Sequence, residues 1–78
     1  MPAECQLLST PGCHLCELAE TVLMPLVDHG LVVELIDIAD DPGWLDVYGL
    51  RIPVLRRVDT GAELDWPFDA AGVVAFVR

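Results

Sequence analysis

Ser9-Thr10-Pro11-Gly12-Cys13-His14-Leu15-Cys16 is the stretch on which the reading of the fold turns. Before it, Cys5-Gln6-Leu7-Leu8-Ser9 makes a short strand, and Thr10-Pro11-Gly12 is a turn cluster that ends it. Beyond it, Leu15, Leu18, Ala19, Val22, Leu23, Leu26 and Val27 recur at alternating steps of three and one. That is one face of an α-helix, with Glu17 and Glu20 on the other side. Pro25 is expected to kink or loosen the last turn, because it removes a backbone donor. Asp28-His29-Gly30 closes the helix. Leu31 to Ile38 is then almost continuously apolar and β-branched, broken only by Glu34 and Asp37. Such a run predicts a strand buried on both faces of a parallel sheet. The first half is a βαβ unit.

The second half uses different signals. Asp41 before Pro42 reads as an N-cap and first helical residue, opening a short helix to about Tyr48, with Gly49 past its end. Pro53 to Val58 is a strand, Asp59-Thr60-Gly61 a tight turn, and Ala62 to Trp66 the returning strand of a hairpin. Asp69 can cap a final helix whose Val73, Val74, Phe76 and Val77 face the core. The predicted order is β-α-β-α-β-β-α, an α/β fold with a four-stranded mixed sheet flanked by three helices. No repeat, linker or low-complexity segment interrupts it, so residues 1–78 are read as a single domain.

Composition narrows the function classes. The chain is 54% hydrophobic, against roughly 45–50% for an ordinary globular protein, so it has apolar surface enough to bury. Thirteen acids face four arginines and no lysine, for a formal net charge of −9. Such a chain would repel a polyanion, which excludes nucleic acid as the expected partner. No apolar run approaches the ~20 residues of a membrane span. Met1-Pro2-Ala3-Glu4-Cys5 lacks the basic and apolar regions of an export signal, so a cytoplasmic location is expected.

Three cysteines are a poor disulfide framework for such a compartment. Cys13 and Cys16 are a close pair, whereas Cys5 stands apart as a buried strand residue. Cys13 falls at the strand-to-helix junction, where unpaired helical N–H groups and the macrodipole favour a thiolate. Cys16 lies one turn on, near enough to bridge to it after a small adjustment. One low-pKa thiolate that attacks a disulfide, and a neighbour that resolves the mixed disulfide, is what exchange chemistry needs. Lowering a thiol pKa from about 8.5 to about 6.5 raises the thiolate fraction at pH 7 from roughly 3% to roughly 75%. Intrinsic nucleophilicity falls about eightfold over the same range, so attack gains only about threefold. The larger benefit is Cys13 as a leaving group. A protonated His14 would add to the effect, and Glu17 and Glu20 oppose it. A zinc site is the competing reading, but it needs four ligands and only Cys5, His14 and His29 remain to complete one. A structural cysteine pair is the other.

The strand, the Thr10–Cys16 segment opening a helix, and Arg51-Ile52-Pro53 opening the third strand together resemble the thioredoxin superfamily. The small size is similar to glutaredoxins, and Asp65-Trp66-Pro67-Phe68-Asp69 resembles a stretch found in small bacterial glutaredoxin-like proteins. The resemblance implies a thioredoxin-like fold and a thiol-disulfide oxidoreductase with Cys13 and Cys16 as catalytic pair. It implies a cis peptide before Pro53, packed against the cysteines, with the N–H and C=O of Ile52 exposed to an extended substrate. Glutathione or a protein disulfide would lie there. No bound cofactor is expected, glutathione is a candidate reductant, and the chain is expected to be a monomer. The usual glutaredoxin Pro-Tyr between the cysteines is replaced by His14-Leu15, and no lysine precedes Cys13. Their glutathione-binding Gly-Gly and Asp-Asp segment is replaced by Trp66-Pro67-Phe68-Asp69. Arg51 is then the nearby cation for a substrate carboxylate, with pairing to a surface acid such as Asp46 as its alternative role. Asp69 could meet a substrate amino group or simply cap its helix. From a different class, the competing function is a thioredoxin-fold binding module with redox-inactive cysteines, whose acidic surface docks a basic partner.

Overall fold

Alternation along the strands decides what each face of the sheet buries. The computed structural model describes residues 3–78, with Met1 and Pro2 outside it. Its elements are β1 (Glu4–Ser9), α1 (His14–Asp28), β2 (Val32–Asp37), α2 (Pro42–Tyr48), β3 (Val54–Arg57), β4 (Glu63–Asp65) and α3 (Ala70–Phe76). A single 3-10 turn, Ile38–Asp40, separates β2 from α2. The strands lie in the order β2-β1-β3-β4. β1 pairs with β2 in parallel and with β3 antiparallel, and β3 pairs antiparallel with β4. This is the four-stranded mixed sheet with three helices.

Cys5, Leu7 and Leu55 share one face of the sheet. They pack with Ala19 and Leu23 of α1, Val73 and Val77 at α3, and Phe68. Leu8 and Val54 point to the other face and meet Ile38 and Tyr48. Each fully buried leucine or valine here contributes roughly 1.5–3 kcal/mol of transfer free energy. Among the described residues no helix is long and apolar enough to cross a membrane.

One expectation needs correction. β2 is an edge strand rather than a strand buried on both faces, and Val32 and Leu35 remain 56% and 57% exposed. The hairpin of β3 and β4 adds to the opposite side of β1, so among the described residues no strand pairs with the outer edge of β2. α1 runs through Pro25 to Asp28 and closes at the Asp28-His29-Gly30 segment, as expected. Its end is set where Gly30 adopts φ +106° and donates to the Val27 carbonyl while Leu31 donates to that of Leu26. These paired bonds satisfy the last helical carbonyls, and the left-handed conformation they need is one that glycine adopts without steric cost.

Candidate active site

Thr10 to Cys13 form a turn closed by the Cys13 N–H on the Thr10 carbonyl at 3.4 Å. Pro11 and Gly12 hold its central positions, and Gly12 takes φ +80°, the conformation that type II turns demand at that place. The turn delivers Cys13 as the N-cap of α1. Its sulfur accepts the Cys16 N–H at 3.2 Å, one of the donors that a helix start leaves without an intrahelical partner. Cys13 and Cys16 are bridged, with Cα atoms 5.2 Å apart, inside the range a disulfide requires. The two sulfurs are not equivalent. Cys13 is half-buried, whereas Cys16 is 2% exposed and faces inward.

Strand register brings the other predicted residues to the same end of the molecule. Val54 lies opposite Leu8, next to the last residue of β1, so Pro53 enters the sheet beside the point where the chain leaves for Cys13. The Ile52–Pro53 bond is cis, and so is Trp66–Pro67, which follows the β4 residue paired with Val54. Pro53 is fully buried. The Ile52 N–H is not free for a substrate, because it donates to the Tyr48 carbonyl at 3.1 Å, as the Arg51 N–H does at 2.9 Å. These bonds fold the end of α2 back on itself and fix the approach to Pro53.

Arg51 is held, though not by Asp46. Its Nη2 donates to Glu63 Oε1 at 2.9 Å and to Asp65 Oδ1 at 2.8 Å. The guanidinium also lies 5.2 Å above the Tyr48 ring. The Tyr48 hydroxyl donates to the second oxygen of Glu63. This hydrogen bond first, and then the Arg51 guanidinium, hold the Glu63 carboxyl below its ordinary range. The same bond is the main reason the Tyr48 phenol is pushed up. Tyr48, Glu63 and Asp65 were missed by sequence reasoning. The available signal was the hairpin, since residues two apart on β4 share a face toward the chain entering β3.

Asp69 caps α3. Its Oδ1 accepts the Gly72 N–H at 2.7 Å. His14 and Glu17 face each other at 4.0 Å on the exposed first turn of α1. Cys5 stays in the core, where burial is the main cause that pushes its thiol up. Among the described residues no group of three or more His, Cys, Asp or Glu side chains stands ready to hold a metal ion.

Residues 4–78 match the family described as glutaredoxin-like domain (DUF836). The chain belongs to that glutaredoxin-like family. Three solved structures of two proteins show the same fold. Protein XcR50 from X. campestris is 39% identical in its crystal structure, with 92% of each chain covered and a TM-score of 0.79. Its solution structure gives 38% identity over 94% of this chain and 90% of that one, at 0.73. Protein Ne2328 from Nitrosomonas europaea is 28% identical over the whole of this chain and 94% of its own, at 0.83. No curated protein matches. The glutaredoxin-like domain thus carries its Cys13–Cys16 pair at a helix start, with the Pro53 and Pro67 segments brought to the same end of the sheet.

Proposed function

We propose that this glutaredoxin-like domain is a thiol-disulfide oxidoreductase acting through Cys13 and Cys16. In the reduced state the Cys13 thiolate attacks one sulfur of a substrate disulfide, and the other sulfur leaves as a thiolate that takes up a proton. Cys16 then loses its proton and attacks the Cys13 sulfur, releasing the second substrate thiol. Two electrons pass to the substrate and the Cys13–Cys16 disulfide remains. A thiol donor, either glutathione or a dithiol protein, returns the pair to the reduced state by the reverse exchange.

The observation that carries this reading is the asymmetry of the pair. The half-buried Cys13 sulfur receives the Cys16 N–H at the helix start, while Cys16 is shielded. A substrate can reach only the outer sulfur, and the inner one is placed to attack it afterwards. Alkylation of the reduced protein with substoichiometric iodoacetamide near pH 6 should label Cys13. Preferential labelling of Cys16 would reverse the roles. Cys16→Ser should trap mixed disulfides through Cys13. A pair that neither oxidises nor reduces across glutathione and dithiothreitol redox buffers would leave a binding module of the same fold instead.

A further inference from the structure

Charged side chains gather near the end of the sheet that leads to the cysteine pair. Arg51 is the cation two residues before Pro53, and both of its neighbours there are carboxylates. Together Arg51, Glu63 and Asp65 sum to a net charge of −1, with Asp65 largely exposed. Glu17, 4.0 Å from the His14 ring, adds an exposed carboxylate in the first turn after Cys13. The other arginines are engaged or distant. Arg57 is opposite Cys5, farther along β3 from Pro53, and binds Asp59 and the carbonyls of Phe76 and Arg78. Arg56 donates to Gln6 and covers the Trp44 ring. Arg78 follows the last helix, α3.

Apolar surface accompanies these charges. Leu15, between the two cysteines, is half exposed, and Leu50, next to Arg51, is fully exposed. Leu15 follows β1 by six residues, and Leu50 precedes by four the Val54 that pairs with Leu8 near the end of β1.

Glutathione has two carboxylates and one ammonium group. Its carboxylates would meet an arginine whose charge is already offset by two acids, on a chain whose net charge is −9. An extended protein segment with lysine or arginine beside its cysteine would meet Asp65 and Glu17 instead, and its apolar neighbours would meet Leu15 and Leu50. Resting on the function proposed above, we propose that the substrates are protein disulfides flanked by basic and apolar residues, and that the site discriminates against glutathione disulfide.

Three disulfides test this with the unaltered protein. The first two are peptide disulfides of one sequence, flanked by leucine and either lysine or glutamate, and the third is glutathione disulfide. Neutral 2-hydroxyethyl disulfide provides the reference rate. Each exposed charge contact changes a rate by about 1.5- to 5-fold. With two such contacts the lysine peptide should outpace the glutamate peptide by roughly 2- to 25-fold at low ionic strength. The ratio should shrink toward one in high salt, where exposed charges are screened. Asp65→Asn removes one of the two acids on Arg51, and should shift the ratio toward glutathione disulfide by about 1.5- to 5-fold. Equal rates for the two peptides, or a preference for the glutamate peptide or glutathione disulfide, would overturn the inference and leave the oxidoreductase reading intact. No exchange with any of the four disulfides would overturn that reading itself, and the inference with it.

Discussion

Tyr48→Phe removes one hydroxyl from the cluster that fixes the approach to Pro53, and its effect should depend on pH in two directions. The phenyl ring would stay where it is, buried and stacked on Trp44 at 5.6 Å, so the apolar packing is kept. What is lost is the bond donated to Glu63. A hydrogen bond to a charged acceptor contributes about 1.5–3 kcal/mol when shielded. The Glu63 side chain is 27% exposed and keeps Arg51 on its other oxygen, so water replaces part of the lost donor. The expected cost is therefore about 1 kcal/mol at pH 7. A domain of this size has a total stability of about 4–12 kcal/mol, and such a loss lowers Tm by about 4–8 °C.

The pH dependence follows from linkage. Glu63 has a folded pKa below its unfolded one, so its stabilisation is complete above the unfolded value and disappears as pH falls through the folded one. Tyr48 has a folded pKa above its unfolded one, so its stabilisation is complete below the unfolded value, near 10, and disappears as pH rises through the folded one. The gap between wild type and Tyr48→Phe should be widest between about pH 5 and 9 and should narrow on both sides. Arg51 remains in both proteins, so its contribution to Glu63 largely cancels in the difference. Urea unfolding followed by tryptophan fluorescence at pH 3, 7 and 10.5 measures the gap. A gap of the same size at all three, or none at pH 7, would refute the coupling of Tyr48 to Glu63.

Asp69→Ala should cost about 1 kcal/mol through loss of the α3 cap, with KM for a small disulfide unchanged; a raised KM at unchanged stability would return Asp69 to substrate binding. Arg57→Ala should lower Tm more than Arg56→Ala, because Arg57 joins Asp59 to the carbonyls at the end of α3, and kcat/KM well below Tm should stay unchanged. Cys5 should resist alkylation in the folded protein and react only on unfolding, since it is buried and its thiol is pushed up; labelling as fast as that of reduced Cys13 would contradict the packing of β1.

The part of the molecule that could be read from the chain is the part encoded locally. The turn at Thr10–Gly12, the cap at Cys13 and the helical stripe of α1 each follow from residues within a few positions of one another. The same holds for Asp41 and Asp69, whose side chains cap the helices that start immediately after them. The place of β2 in the sheet was not legible, because strand order is decided by where the later hairpin lands. An apolar run of that length serves an edge or a centre equally well, and here it left Val32 and Leu35 in solvent.

Arg51 shows the same limit within the site itself. Counting cations along the chain leaves it as the natural anchor for a substrate carboxylate. Its state depends on residues twelve and fourteen positions later, which the hairpin register alone brings back. Val54 pairs with Asp65 and Arg56 with Glu63, so both acids return beside the segment that enters β3. That register also sets the Trp66–Pro67 peptide next to the end of the sheet where Pro53 and Cys13 lie. The hairpin that completes the end bearing Cys13 and Cys16 is therefore the one that offsets the charge of its arginine. A residue can stand in the right place for binding and still have its charge taken, and only the pairing of strands reveals which.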